Sequence, residues 1–159
     1  MADETTLNDE PIAKLERIFK TAFPVAQVGI LGAKDSREGL SNSNATVGAC
    51  HEFGTEHIAQ RSFLRMPLNE HLSEAITKSG LSSEDTLKDV LSSGDAVPWM
   101  KQIAVVAEGV VKEAFASGGF GKWQAHAPGY TNNTGQLLVD TQQLRNSITH
   151  SVVTTGKTK

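Results

Sequence analysis

The sequence predicts one domain of mixed α and β structure, and three observations carry the prediction. Helical periodicity dominates the chain, with its strongest run from Asp95 to Ser117. Two segments with the apolar, β-branched character of strands, Val25 to Leu31 and Ser147 to Thr155, stand toward opposite ends. The 159 residues carry 38% hydrophobic side chains and no internal repeat, which suits a single core.

Taken in order, Asn8 and Asp9 can cap a helix over residues 10–22, with Pro11 in its first turn and Ile12, Leu15, Ile18, Phe19 and Ala22 at helical spacing. Pro24 stops it, and the first strand follows with Gln27 and Gly29 on its alternate face. Residues 32–44 are polar, glycine-bearing and aperiodic, a loop of the length that more often serves binding or orders on assembly. Asn44 can cap a short helix over 45–53 with Val47, Cys50 and Phe53 on one side. Gly54 and Thr55 break the chain, Ile58 to Leu64 runs extended, and Pro67 opens a helix through Leu68, Leu72 and Ile76 to Gly80. Ser82 or Ser83 caps the next helix, whose Leu87, Val90 and Leu91 face inward.

The long helix has Asp95 as its cap and Pro98 in its first turn. At about 100° per residue, Val97, Met100, Ile103, Ala104, Ala107, Val110, Val111, Ala114 and Phe115 fill half its circumference, which makes it the central core helix. Lys101, Glu108 and Lys112 mark the opposite ridge, with Glu108 and Lys112 in the order that favours pairing. Val105 falls on that polar arc, either as a subunit contact or as an ordinary exposed apolar residue. Residues 117–136 are too rich in glycine to hold a regular element. Asp140 or Thr141 caps a short helix through Leu144, and the ends, 1–8 and 156–159, are expected to be disordered.

Eighteen acidic against fifteen basic residues give a net charge of −3, so no general attraction to nucleic acid or to an anionic membrane is built in. A single cysteine, Cys50, excludes an intrachain disulfide and any thiolate zinc cluster within one chain. Asp3, Glu4, Asp9, Glu10 and Glu16 lie where a secretory leader would be basic and then apolar, which predicts a chain kept inside the cell that makes it. The longest apolar stretch, Ile103 to Val111, is broken by Glu108 and falls short of the roughly 20 residues a membrane span needs.

Four patterns invite chemistry. His51, Glu52 and His57 suggest a histidine-dependent metal hydrolase, but a zinc helix needs its histidines four apart, and these are six apart. Gly118, Gly119, Gly121 and Lys122 suggest a phosphate loop, yet the first glycine of that motif falls on Ala116, and Trp123 stands where a hydroxyl would hold magnesium. Cys50 beside His51 does not make a nucleophilic dyad, because adjacent side chains diverge. No catalytic residue, cofactor or metal ligand is therefore predicted. Arg61 and Arg65 flank Phe63 and Leu64, which an extended strand would sort into one basic and one apolar face, with Glu52, Glu56 and Asp140 as carboxylate partners in this chain or the next.

The block His51, Glu52, Phe53, Gly54 and Thr55, followed by Ile58, Arg61, Phe63, Leu64 and Arg65, resembles a signature of tailed-bacteriophage virion morphogenesis proteins. These are the small neck or tail completion proteins of Mu-like and other long-tailed phages. A second block matches them in Lys122 and Trp123, then Leu137 to Thr141, Leu144, Ser147 and Ile148. Family members often have glycine after that threonine; Gln142 stands there in this chain and predicts a more fully helical turn. The resemblance covers residues 10–155 in order. It implies an α+β fold in which a small twisted antiparallel sheet packs against the long helix, with extended polar loops, and it carries no catalytic activity.

The resemblance further implies a subunit of the virion, assembled in the host cytoplasm into a homo-oligomeric ring of about six or twelve copies at the head–tail junction. Its expected partners are the head–tail connector and the tail terminator or tail tube, with genomic DNA passing through the lumen without specific binding. A tail terminator role is the alternative within that class. Phe53, Phe63 and Trp123 are the expected aromatic anchors of its interfaces, and Arg61 and Arg65 the expected ion-pair partners.

Overall fold

The computed structural model describes residues 10–21, 23–36, 42–130, 135–139 and 142–155. Six helices and two strands follow one another among them: α1 (Glu10–Thr21), β1 (Phe23–Ile30), α2 (Asn44–Phe53), α3 (Arg65–Lys78), α4 (Glu84–Ser93), α5 (Val97–Ser117), α6 (Gln143–Ser147) and β2 (Ile148–Thr155). The fold is α+β. β1 and β2 pair antiparallel with Ile30 opposite Ile148, Val28 opposite His150 and Val25 opposite Val153. A two-stranded sheet is marginal by itself and needs a helix against one face; α5 lies on both strands and supplies it, while α3 packs along another side of α5.

The core forms where α5 meets the sheet and the loops that follow it. Val111, Ala114 and Phe115 of α5 are buried with Phe63, Trp123, Val139, Leu144 and Ile148. Phe115 is the hub: the Phe63 ring lies 5.2 Å away and the Trp123 ring 5.8 Å away, edge-on at 87°. The helix ends at Gly118, in the left-handed conformation, with the N–H groups of Gly118 and Gly119 both donating to the Ala114 carbonyl. Gly119 cannot be anything else, because a Cβ there would sit 2.2 Å from the Trp123 ring.

Several starts differ from the sequence expectation for local reasons. Ser43 rather than Asn44 caps α2, its Oγ accepting from the Thr46 N–H. Asn44 is instead buried and donates to the Lys34 and Ser36 carbonyls, which ties a 3-10 turn at Gly32–Asp35 onto α2. That turn orders part of the stretch expected to be loop. Ser83 caps α4 and Asp95 accepts from the Val97 N–H at the start of α5, both as expected, whereas α3 begins at Arg65, ahead of Pro67. Glu108, expected on the solvent ridge of α5, is half-buried against β2, accepting from Lys112 and lying 2.5 Å from His150 Nδ1. Its neighbour on that ridge, Val105, is exposed. The expected caps Asn8, Asp9, Asp140 and Thr141, and the end segments expected to be disordered, lie outside the described residues.

Gln142, expected to continue a helix, precedes α6 with φ 60 and ψ −1. It holds a left-handed turn that a glycine would adopt without strain. Gln142→Gly should therefore raise stability by about 0.5–1 kcal/mol, the relieved strain exceeding the added freedom of the unfolded chain. Chemical denaturation of the two proteins measures it.

Candidate functional site

The motif residues of α2 and the segment after it form one hydrogen-bonded unit centred on Glu52. Glu52 lies in the last turn of α2 and its side chain is 6% exposed. One carboxylate oxygen accepts from the Phe63 and Leu64 N–H groups, both at 2.9 Å; the other accepts from Ser62 Oγ at 2.7 Å, the Arg65 N–H at 3.1 Å and Arg65 Nε at 3.0 Å. The first N–H groups of a helix have no partner within it. In α3 the Glu52 carboxylate takes that of Arg65, Ser62 Oγ takes that of Met66, and Pro67 has none to satisfy. A carboxylate is also the favourable charge at a helix N-terminus.

Burial pushes the Glu52 carboxyl upward, but the hydrogen bonds from Ser62, from the Leu64 and Arg65 backbone and from the Arg65 side chain outweigh it and hold the group below its ordinary value of 4.5. Residues 58–64, expected as an extended strand, are irregular for the same reason: their donors turn toward one carboxylate instead of a neighbouring strand. Around this centre the Thr55 Oγ1 accepts from the His57 and Ile58 N–H groups, and the Arg61 N–H donates to the His51 carbonyl at 2.8 Å. Gly54 makes the turn at φ 76, where a Cβ would crowd the Gln60 backbone.

The second block docks on the first. Arg61 donates through Nε to the Gln124 carbonyl at 2.9 Å and through Nη2 to the Ala125 carbonyl at 3.0 Å. Trp123 Nε1 donates to the Ser62 carbonyl at 3.1 Å. Arg61 was expected to meet a carboxylate and instead straps the loop after α5; of the acids named for it, Glu52 goes to Arg65, and Asp140 lies outside the described residues. Phe63 and Trp123, expected as interface anchors, are buried inside this chain's own core. Phe53 is not: it is 62% exposed, with the Arg65 guanidinium 4.7 Å above its ring.

His51 and His57 line one cavity of about 590 Å³ with Arg61, His126 and Tyr130. Among the described residues no group of three or more His, Cys, Asp or Glu side chains is placed to hold a metal ion. No described helix is long and apolar enough to cross a membrane. Sequence reasoning missed Ser62 as a ligand of Glu52 and the Gln124 and Ala125 carbonyls as acceptors, since neither carries a local signature. Compared with protein families, with characterised proteins and with solved structures, the chain matches none.

The Glu52 arrangement makes a pH prediction. Its depressed carboxyl contributes stability that is present above 4.5 and is lost as pH falls through the folded value. Glu52→Gln should cost about 2 kcal/mol at neutral pH, because charge-assisted hydrogen bonds weaken. Its unfolding free energy should also fall less steeply below pH 4.5 than that of the native chain. Denaturant titrations at a series of pH values read both effects.

Proposed function

We propose that this chain is a non-enzymatic structural subunit of a tailed-phage neck, a tail completion protein that assembles into a homo-oligomeric ring joining tail to head. The observation that carries the reading is the meeting of the two resembling blocks: Arg61 of the first donates to the Gln124 and Ala125 carbonyls just after Trp123 of the second, and Trp123 donates to the Ser62 carbonyl just after Arg61. Residues that lock a fold in this way need no reactive geometry, and both Glu52 oxygens are already occupied by donors. That fits a hydrolase using His51, Glu52 and His57 poorly, because its general base would need a free lone pair. The left-handed turn at Gln142, where members of the family often have glycine, agrees with the same reading.

Surface features supply interfaces for such a ring. Phe53 with Arg65 offers an aromatic and a cation side by side, the types enriched where protein surfaces meet. Val25 and Val153, directly opposite in the sheet, are both exposed. Each strand also leaves one edge without a strand partner among the described residues, which another chain can extend. In this reading the ring contacts the connector above and the tail below, and the acidic balance of the chain keeps passing DNA from adhering.

Phe53→Asp should leave the circular dichroism spectrum and the melting midpoint close to native, because the ring of Phe53 lies outside the core. It should reduce ring formation sharply in light scattering and negative-stain images. Rings that persist undiminished in the variant, or a native protein that never self-associates even with its tail and connector partners, overturn the assignment.

A further inference from the structure

One face of α5 carries four exposed residues at steps of four: Lys101, Val105, Gly109 and Glu113. Residues so spaced form one ridge along a helix. Val105 is 57% exposed, a large apolar side chain on an otherwise polar arc. Gly109 stands one step further on, and a glycine inside a helix costs stability relative to alanine. Nothing among the described residues requires it: its φ is not left-handed, and an added Cβ would meet no atom within 4 Å. Beside it a groove of about 340 Å³ opens between α3 and α5, with Ala75, Val106, Val110 and Phe120 in its wall. At the ends of the ridge, Lys101 and Glu113 form no ion pair among the described residues, whereas the nearby Lys112 and Lys78 are paired with Glu108 and Glu74.

From Lys101 to Glu113 the ridge runs cation, apolar knob, notch, anion, and in reverse it is its own complement. We propose that α5 pairs antiparallel with α5 of a second copy, across a twofold axis between Val105 and Gly109. Val105 of each copy enters the notch over Gly109 of the other and the groove beside it, and Lys101 of each meets Glu113 of the other. Packing of two such ridges, at a crossing of about −50°, is the commonest between helices, and glycine at the contact lets the backbones approach closely. The order of the four residues selects a second copy as the occupant, since the twofold operation alone generates its complement. The pairing goes beyond the ring reading: a ring repeats one head-to-tail contact, whereas this contact is isologous and closes at two copies.

Sedimentation velocity of the full chain at concentrations up to about 1 mM, where even a weak interface is populated, tests the pairing. Self-association is expected of the native chain. Lys101→Glu and Glu113→Lys each bring like charges together at both ends of the contact, and each should weaken it by about tenfold or more. An equimolar mixture of these two variants should associate again, as should the chain carrying both substitutions, because opposite charges then meet. Gly109→Leu fills the notch with a better helix former, so association should fall while the melting midpoint of the dilute chain stays at or above native. A native chain that stays monomeric overturns the proposal, as do single variants that associate like the native chain or a mixture that fails to associate. All three positions are exposed, and circular dichroism confirms that a loss of association is not a loss of fold. Phe53 lies on α2 and ring formation is read separately by negative stain, so the ring assignment and the pairing fail independently.

Discussion

A carboxylate taken out of water is costly unless its lone pairs are filled, and in this chain that demand organises the region between α2 and α3. Glu52 sits at the end of one helix and accepts from the segment that starts the next. Its five donors come from four consecutive residues, Ser62 to Arg65, which fixes the direction in which α3 leaves the turn. Losing the carboxylate would leave the Phe63, Leu64 and Arg65 N–H groups without acceptors, so the cost would fall on the backbone as well as on the side chain.

From that turn the order spreads in two directions. Phe63, held by its N–H, enters the core against Phe115, the residue through which α5 also meets Trp123. Arg61 and the Ser62 carbonyl then grip the loop after α5, which brings residues 122–125 against a segment about sixty positions earlier in the chain. The sheet is stabilised separately, by its burial on α5 and by the contact of Glu108 with His150 between helix and strand. The polar contacts of this region thus go to internal geometry, while the Phe53 ring stays exposed.

The elements with strong periodicity were legible in the chain itself. α5 has the predicted core face, and the two strands lie where β-branched residues cluster, because burial on one side imposes a repeat that sequence displays directly. What was not legible depended on partners distant in sequence. Residues 58–64 have the composition of a strand, but their donors are claimed by a carboxylate ten or more positions earlier. Phe63 and Trp123 have the chemistry of interface anchors and of core residues alike, and only packing on Phe115 distinguishes the two. Arg61 advertised an acidic partner, whereas backbone carbonyls, which leave no trace in composition, were its actual acceptors. Asn44 was passed over as a cap because Ser43 precedes it and the amide is long enough to reach back to the 3-10 turn.

The central claim is that Glu52 is an ionised carboxylate whose charge holds the start of α3, and carbon-13 NMR of its side-chain carboxyl during an acid titration addresses that claim most directly. The account predicts a midpoint below 4.5, with the amide protons of Phe63, Leu64 and Arg65 shifting in the same step. A midpoint at or above 4.5, with those amides unmoved through the transition, would contradict it.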